Sequence, residues 1–116
     1  MNALVGVEVA PGFAEIGVVA FTTTRERGDF ALQSQEAASV VFGRWHALAA
    51  DLGGGIRRLA SAHQVHGDTV IVHEPGWHGW LRESEGDAHV SGQAGTAMAV
   101  TVADCVPLFL AHPRGG

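Results

Sequence analysis

Three observations predict a mixed α/β fold. One stretch, residues 35–52, has helical apolar periodicity. Short β-branched apolar runs lie on both sides of it, and 16 glycines punctuate a chain of 116 residues. That length fits one domain and leaves no room for two. Hydrophobic residues make up 47% and charged residues 16%, a globular balance and not a disordered one. A single cysteine rules out an internal disulfide.

The elements follow in order. Val5 to Val9 alternates as a short strand, with Pro11-Gly12 as its turn. Ile16 to Thr24 is β-branched and mostly apolar, which predicts a strand buried on both faces. A polar loop, Arg25 to Asp29, follows it. The helix is expected from Gln35 to Leu52, with Ser34 as N-cap and Glu36 favouring the positive end of the helix dipole. Val41, Trp45, Leu48 and Leu52 recur at steps of 4, 3 and 4 and form one apolar stripe, which Gly53-Gly54-Gly55 terminates. Two strands, Leu59–Gln64 and Thr69–His73, are predicted around Val65-His66-Gly67-Asp68. Pro75 to Gly95, with five glycines and two tryptophans, reads as a long loop. Thr96–Val102 and Val106–Ala111 read as the last strands, the second entered through Pro107, and Pro113-Arg114-Gly115-Gly116 is a turn signal. An apolar strand followed at once by a turn predicts either a disordered tail after an edge strand or a hairpin whose second strand is absent.

Lys plus Arg is 7 and Asp plus Glu is 12, so the formal charge is 7 − 12 = −5. The densest positive clusters are Arg25/Arg27 and Arg57-Arg58, so the basic stripe of a nucleic-acid binder is missing. The N-terminus lacks a basic n-region, and Glu8 and Glu15 interrupt its apolar stretch, which argues against a signal peptide and against a membrane span. A cytoplasmic protein is the expectation.

Cys105 and His66 are the candidate chemistry. Cys105, in V-A-D-C-V-P, lies between two predicted strands. It reads equally as a buried small hydrophobe and as a thiolate facing a cleft, able to bind a metal or attack a carbonyl. His66 precedes Gly67, which permits a sharp turn after the imidazole. His63, three residues earlier, faces the opposite side of a strand, so the two do not share a ligand sphere unless the chain bends between them. His46, His73, His78, His89 and His112 have no ligand spacing and read as surface or satisfied core residues. No dinucleotide fingerprint, P-loop or G-x-S-x-G elbow is present. Trp77 and Trp80 read as packing for their loop.

Three stretches together resemble the laccase-domain family, also called the polyphenol oxidase or peptidoglycan editing factor (YfiH-like) family. They are Ala20-Phe21-Thr22-Thr23-Thr24-Arg25, the Q-V-H-G-D-T-V run over residues 64–70, and the run from Gly86-Asp87-Ala88 through Ala103-Asp104-Cys105-Val106-Pro107. The chain is similar to the N-terminal half of a family domain. The resemblance implies a layered α/β sandwich of the YfiH-like type with a mixed sheet, here incomplete at its C-terminus. It also implies a metal site, zinc in preference to copper, with ligands at His66 and Cys105 and a third histidine from a downstream H-[AS]-G-W-R-G motif that these residues do not contain. Family members are described as purine nucleoside enzymes, phosphorolysing adenosine, inosine or methylthioadenosine and deaminating adenosine; older assignments make them copper polyphenol oxidases. Three protein ligands and one open position is the catalytic-zinc pattern, and such a metal activates water for attack on the purine ring. Under this reading Arg25 is the candidate phosphate contact, and Asp104 orients a ligand from behind. The loop after Arg25 lacks the second glycine and the serine of many members.

Two other readings stay open. One is a metal-free cysteine hydrolase with Cys105 as nucleophile and His66 as base. The other is an inactive, truncated domain whose severed sheet edge associates with a partner. The 116 residues alone are expected to be catalytically dead.

Overall fold

A computed structural model describes residues 4–32, 34–103 and 105–114. They form two compact units, Met1–Gly53 and Gly54–Gly116. The chain is mixed α/β, with one antiparallel and three parallel pairings of strands among the described residues.

In the first unit β1 (Val7–Val9) pairs antiparallel with β2 (Phe21–Thr23), Glu8 opposite Thr22. The ladder is extended by Ala10 N–H donating to the Ala20 carbonyl and Thr24 N–H to that of Gly6. The predicted second strand is thus shorter than expected and not buried on both faces. Ile16 belongs to a 3-10 turn, Ala14–Ile16, and Val19 is 49% exposed, because a two-stranded ribbon covers little surface.

The helix α1 spans Ala38–Leu52. It starts later than expected, and Ser34 does not cap it. The Ser34 hydroxyl accepts the Glu36 N–H, while Ala37 stands at the cap position with no side-chain hydrogen bond. Glu36 serves as a counter-ion instead. Its two carboxylate oxygens accept from both terminal nitrogens of Arg44 at 2.7 Å, and this hydrogen bond holds its carboxyl below the usual range. The apolar stripe packs as its spacing dictates over Val41, Trp45 and Leu48, which are buried, whereas Leu52, its expected fourth member at the helix end, is only half-buried. The Trp45 indole N–H donates to the Phe30 carbonyl at 2.9 Å, and the two rings meet edge to face with centroids 5.3 Å apart. Gly53, at φ 91°, closes the helix in a conformation that a side chain would strain.

The second unit is built on β3 (Arg58–Ala62), the centre of a parallel three-stranded sheet ordered β5 (Gly79–Glu83), β3, β7 (Thr96–Met98). β4 (Val70–Val72) pairs in parallel with β6 (Ala88–Val90). The expected long loop from Pro75 to Gly95 therefore contains two strands. Its glycines fall mostly at strand borders, and Trp80 joins its strand to β3 by donating its indole N–H to the Ser61 hydroxyl at 2.8 Å. Glycine and tryptophan content conceals short strands whose pairing is entirely non-local. β3 is buried through small residues, Ala60, Ser61 and Ala62. Buried Arg58 ties β7 to it by donating to the Thr96 hydroxyl at 3.0 Å and the Ala94 carbonyl at 2.7 Å.

The last predicted strand, Val106–Ala111, is absent, and the preceding one ends at Met98 rather than Val102. No strand among the described residues pairs with 106–111, so its backbone has no ladder to join. Val106, Leu108 and Leu110 are each more than 80% exposed.

Candidate functional site

β3 and β7 run parallel and adjacent, with Ala60 opposite Met98, so their carboxyl ends lie side by side. His66 follows β3 and Cys105 follows β7. The segments that lead toward the two candidate residues thus leave the same end of the sheet, the end at which open parallel sheets present ligand sites. Gln64 fixes this arrangement. Its Nε2 donates to the Thr101 carbonyl at 2.7 Å, and its Oε1 accepts the Thr101 N–H at 2.7 Å and its hydroxyl at 3.2 Å. The carboxamide imitates a peptide group and prolongs the ladder in which Ala99 N–H donates to the Ala60 carbonyl at 2.9 Å. The Q-V-H-G stretch is thereby joined to the stretch that leads to Cys105. Gln64→Leu is expected to destabilise the protein by about 1–3 kcal/mol, because both backbone groups of half-buried Thr101 lose their partner. Urea unfolding followed by circular dichroism checks it.

The sharp turn falls on His66, not on Gly67. His66 has φ 57° and is the one non-glycine residue at positive φ among the described residues. That conformation costs a non-glycine residue about 1–2 kcal/mol. It is held by Asp87, whose carboxylate accepts the N–H groups of Val65, His66 and Gly67 at 3.1, 3.0 and 2.9 Å. The Gly67 N–H, then those of His66 and Val65 together with the His66 charge, keep the Asp87 carboxyl below its ordinary range against the opposing effect of burial. Gly86 lets Asp87 reach this position. It is buried, its N–H donates to the His63 carbonyl at 3.0 Å, and a Cβ there would collide with the Ile71 side chain.

His66 and Cys105 are both exposed, and His63 is half-buried. Arg25 is exposed in a 3-10 turn, Arg25–Arg27, directly after β2 in the first unit. The expected role of Asp104 lies outside the described residues. An imidazole nitrogen and a thiolate sulfur are zinc ligands by type. Among the described residues, however, no three His, Cys, Asp or Glu side chains group to hold a metal ion. These residues therefore provide candidate donors and not a complete metal centre.

Sequence reasoning missed three features. Gln64 and Asp87 stood inside the recognised motifs but had no assigned task, since their partners are 37 and about 20 residues away. The third is a histidine pair. His73 Nε2, directly after β4, and His89 Nδ1, in β6, share a hydrogen bond of 2.8 Å, with rings stacked at 5.1 Å. His73 is buried, and the buried Nε2 of His89 has no partner. The register that sets Ile71 opposite His89 places them together, a fact no sequence spacing reveals. Burial, reinforced by His73, lowers the His89 pKa to about 4. The unfolded chain then binds more protons than the folded one between about pH 6.5 and pH 4, so stability falls as pH falls through that window. Discounted for partial exposure, the loss is about 1–2 kcal/mol. His89→Asn is expected to flatten this part of the stability–pH curve, measured by urea midpoints from pH 7 to pH 4.

A mixed α/β unit that offers an exposed histidine and thiol beyond neighbouring parallel strand ends is the class these observations define. The chain belongs to the multi-copper polyphenol oxidoreductase laccase family, whose model matches residues 17–116. It is 43% identical over 70 residues to a purine nucleoside phosphorylase of Deinococcus radiodurans, covering 60% of this chain and 25% of that protein. A purine nucleoside phosphorylase of Streptomyces coelicolor is 41% identical over 68 residues, covering 59% and 28%. The chain thus spans about a quarter of the length of these curated relatives. No solved structure matches it. No helix of the described residues is long and apolar enough to cross a membrane.

Proposed function

We propose that this chain forms the N-terminal part of a cytoplasmic, zinc-dependent purine nucleoside phosphorylase, a single layered α/β domain when extended to its relatives' length. The reading includes phosphorolysis of adenosine, inosine or methylthioadenosine and deamination of adenosine. The observation that carries it is the joining of the Q-V-H-G stretch to the Thr101–Cys105 stretch at one sheet edge, in a chain 43% identical over 70 residues to a purine nucleoside phosphorylase. His66 and Cys105 contribute two zinc ligands, and the third comes from outside the 116 residues. Zinc bound there supplies a Lewis acid beside the nucleoside. The chain's own residues do the rest. Asp87 and Gln64 hold the two ligand-bearing segments, and Asp104 orients a ligand.

The test uses a graft in which residues 17–116 replace the equivalent segment of the Deinococcus relative. A zinc chelator is expected to abolish inosine cleavage by the graft, and added zinc to restore it. Activity that survives the chelator but is lost to a thiol alkylating agent would favour Cys105 as a nucleophile, with His66 as its base.

A further inference from the structure

We propose that Asp87 is a positioning residue for His66: its carboxylate holds that residue in the left-handed conformation and so sets the direction in which the imidazole is presented at the carboxyl ends of β3 and β7. The functional meaning of this inference rests on the reading of His66 as a ligand; the geometry does not.

Three consecutive N–H groups, those of Val65, His66 and Gly67, converge on one carboxylate at 2.9 to 3.1 Å. Successive amides that converge in this way form a concave anion nest. Here the anion is the protein's own, so the nest is filled from within and its task is conformational rather than phosphate binding. A role confined to fastening the loops together is already met by backbone bonds. Gly86 N–H donates to the His63 carbonyl at 3.0 Å, and the N–H groups of Asp87 and Ala88 donate to the Thr69 carbonyl at 3.1 and 3.3 Å. None of these involves the Asp87 side chain. What the carboxylate adds is local: it selects φ 57° at His66, a conformation a histidine seldom adopts, although Gly67 stands next to it and accepts positive φ without strain. A turn placed at Gly67 would leave His66 extended and point its ring elsewhere.

The experiment uses the isotopically labelled 116-residue chain and its Asp87→Ala and Asp87→Asn variants. Two NMR readouts are taken: the intraresidue HN–Hα cross-peak and coupling of residue 66, which report the sign of φ, and the ring shifts of His66 during zinc titration. Asp87→Ala is expected to lose the positive-φ signature and to weaken zinc binding at His66 by about 10-fold, the lower end for loss of an orienting partner. Hydrogen-exchange protection of Gly86, Asp87 and Ala88 should persist. Asp87→Asn keeps an oxygen for the N–H groups of Val65 and His66, and is expected to retain most of the signature. Unchanged φ in Asp87→Ala, with zinc affinity within about twofold of the parent, overturns the proposal, since an orienting partner costs more. So does joint loss of the signature and of the 86–88 protection in both variants, which would make Asp87 a structural brace. If zinc leaves His66 unperturbed in the parent while Asp87→Ala still loses the signature, the hold of Asp87 on His66 stands and the zinc reading fails.

Discussion

His66→Ala is expected to reduce phosphate-dependent nucleoside cleavage by the graft by at least about 10²-fold. Removing a residue that merely orients a metal ligand costs about 10- to 100-fold, and the ligand itself should cost more. The substitution is clean in one respect. Alanine at this position carries the same left-handed strain as histidine, about 1–2 kcal/mol, and keeps the N–H that donates to Asp87 at 3.0 Å. Stability and loop conformation should therefore change little, while the imidazole is lost. Turnover is measured with inosine and phosphate, alongside urea melts to show that the fold is intact. Turnover within a few-fold of the parent would remove His66 from the chemistry. Cys105→Ser provides the companion result, since a serine hydroxyl is a far poorer zinc ligand than a thiolate.

Trp45→Ala is expected to lower the stability of the first unit by about 3–5 kcal/mol, the range for truncating a large buried aromatic. Trp45 is 4% exposed, and the other buried apolar residues described in that unit are few: Ala20, Phe30, Val41 and Leu48. Deleting the indole opens a cavity beside Phe30, ends the edge-to-face contact and removes the donor to the Phe30 carbonyl. A small unit holds little stability in reserve, so loss of α1 signal at 222 nm should begin at much lower urea. Trp45→Phe should recover much of the packing but not the hydrogen bond. A midpoint for Trp45→Ala close to the parent's would show that the α1 stripe does not carry this core. The exposed Glu36–Arg44 pair offers the contrast: it is a well-aligned fork on the surface, and its removal should matter far less.

Local signals were legible in the sequence where the physics is local. The stripe Val41, Trp45, Leu48 announces one buried helix face because its period depends on nothing beyond the helix, and Gly53 ends it as expected. The start of the helix was misread because Ser34 and Glu36 are good capping residues that here bond elsewhere, Glu36 to Arg44 eight residues on. β5 and β6 stayed hidden because each is short and owes its existence to a partner 18 to 21 residues away. Val106–Ala111 failed in the opposite sense: its pattern is that of a strand, but pattern alone does not supply a neighbouring ladder.

The candidate site shows the same division. Cys105 and His66 were found through residue type and motif. Their placement after adjoining strands, the Gln64 bridge to Thr101 and the Asp87 clamp depend on pairings across 20 to 38 residues, from Asp87 with Gly67 to Ala60 with Met98. The turn was expected at Gly67 because glycine is the residue that tolerates it best; a carboxylate from another loop moved it by one position, onto His66. The His73–His89 pair was dismissed for lack of ligand spacing, and its register brings it together all the same.

The central proposal is that this sequence contributes His66 and Cys105 to the purine nucleoside site of a phosphorylase. The most direct measurement is the product formed from inosine by the graft, with and without phosphate, followed by phosphorus NMR. The account predicts hypoxanthine together with ribose 1-phosphate, the base leaving as phosphate takes its place on the sugar, and no cleavage when phosphate is withheld. Free ribose as the sugar product, or cleavage that does not depend on phosphate, would contradict it.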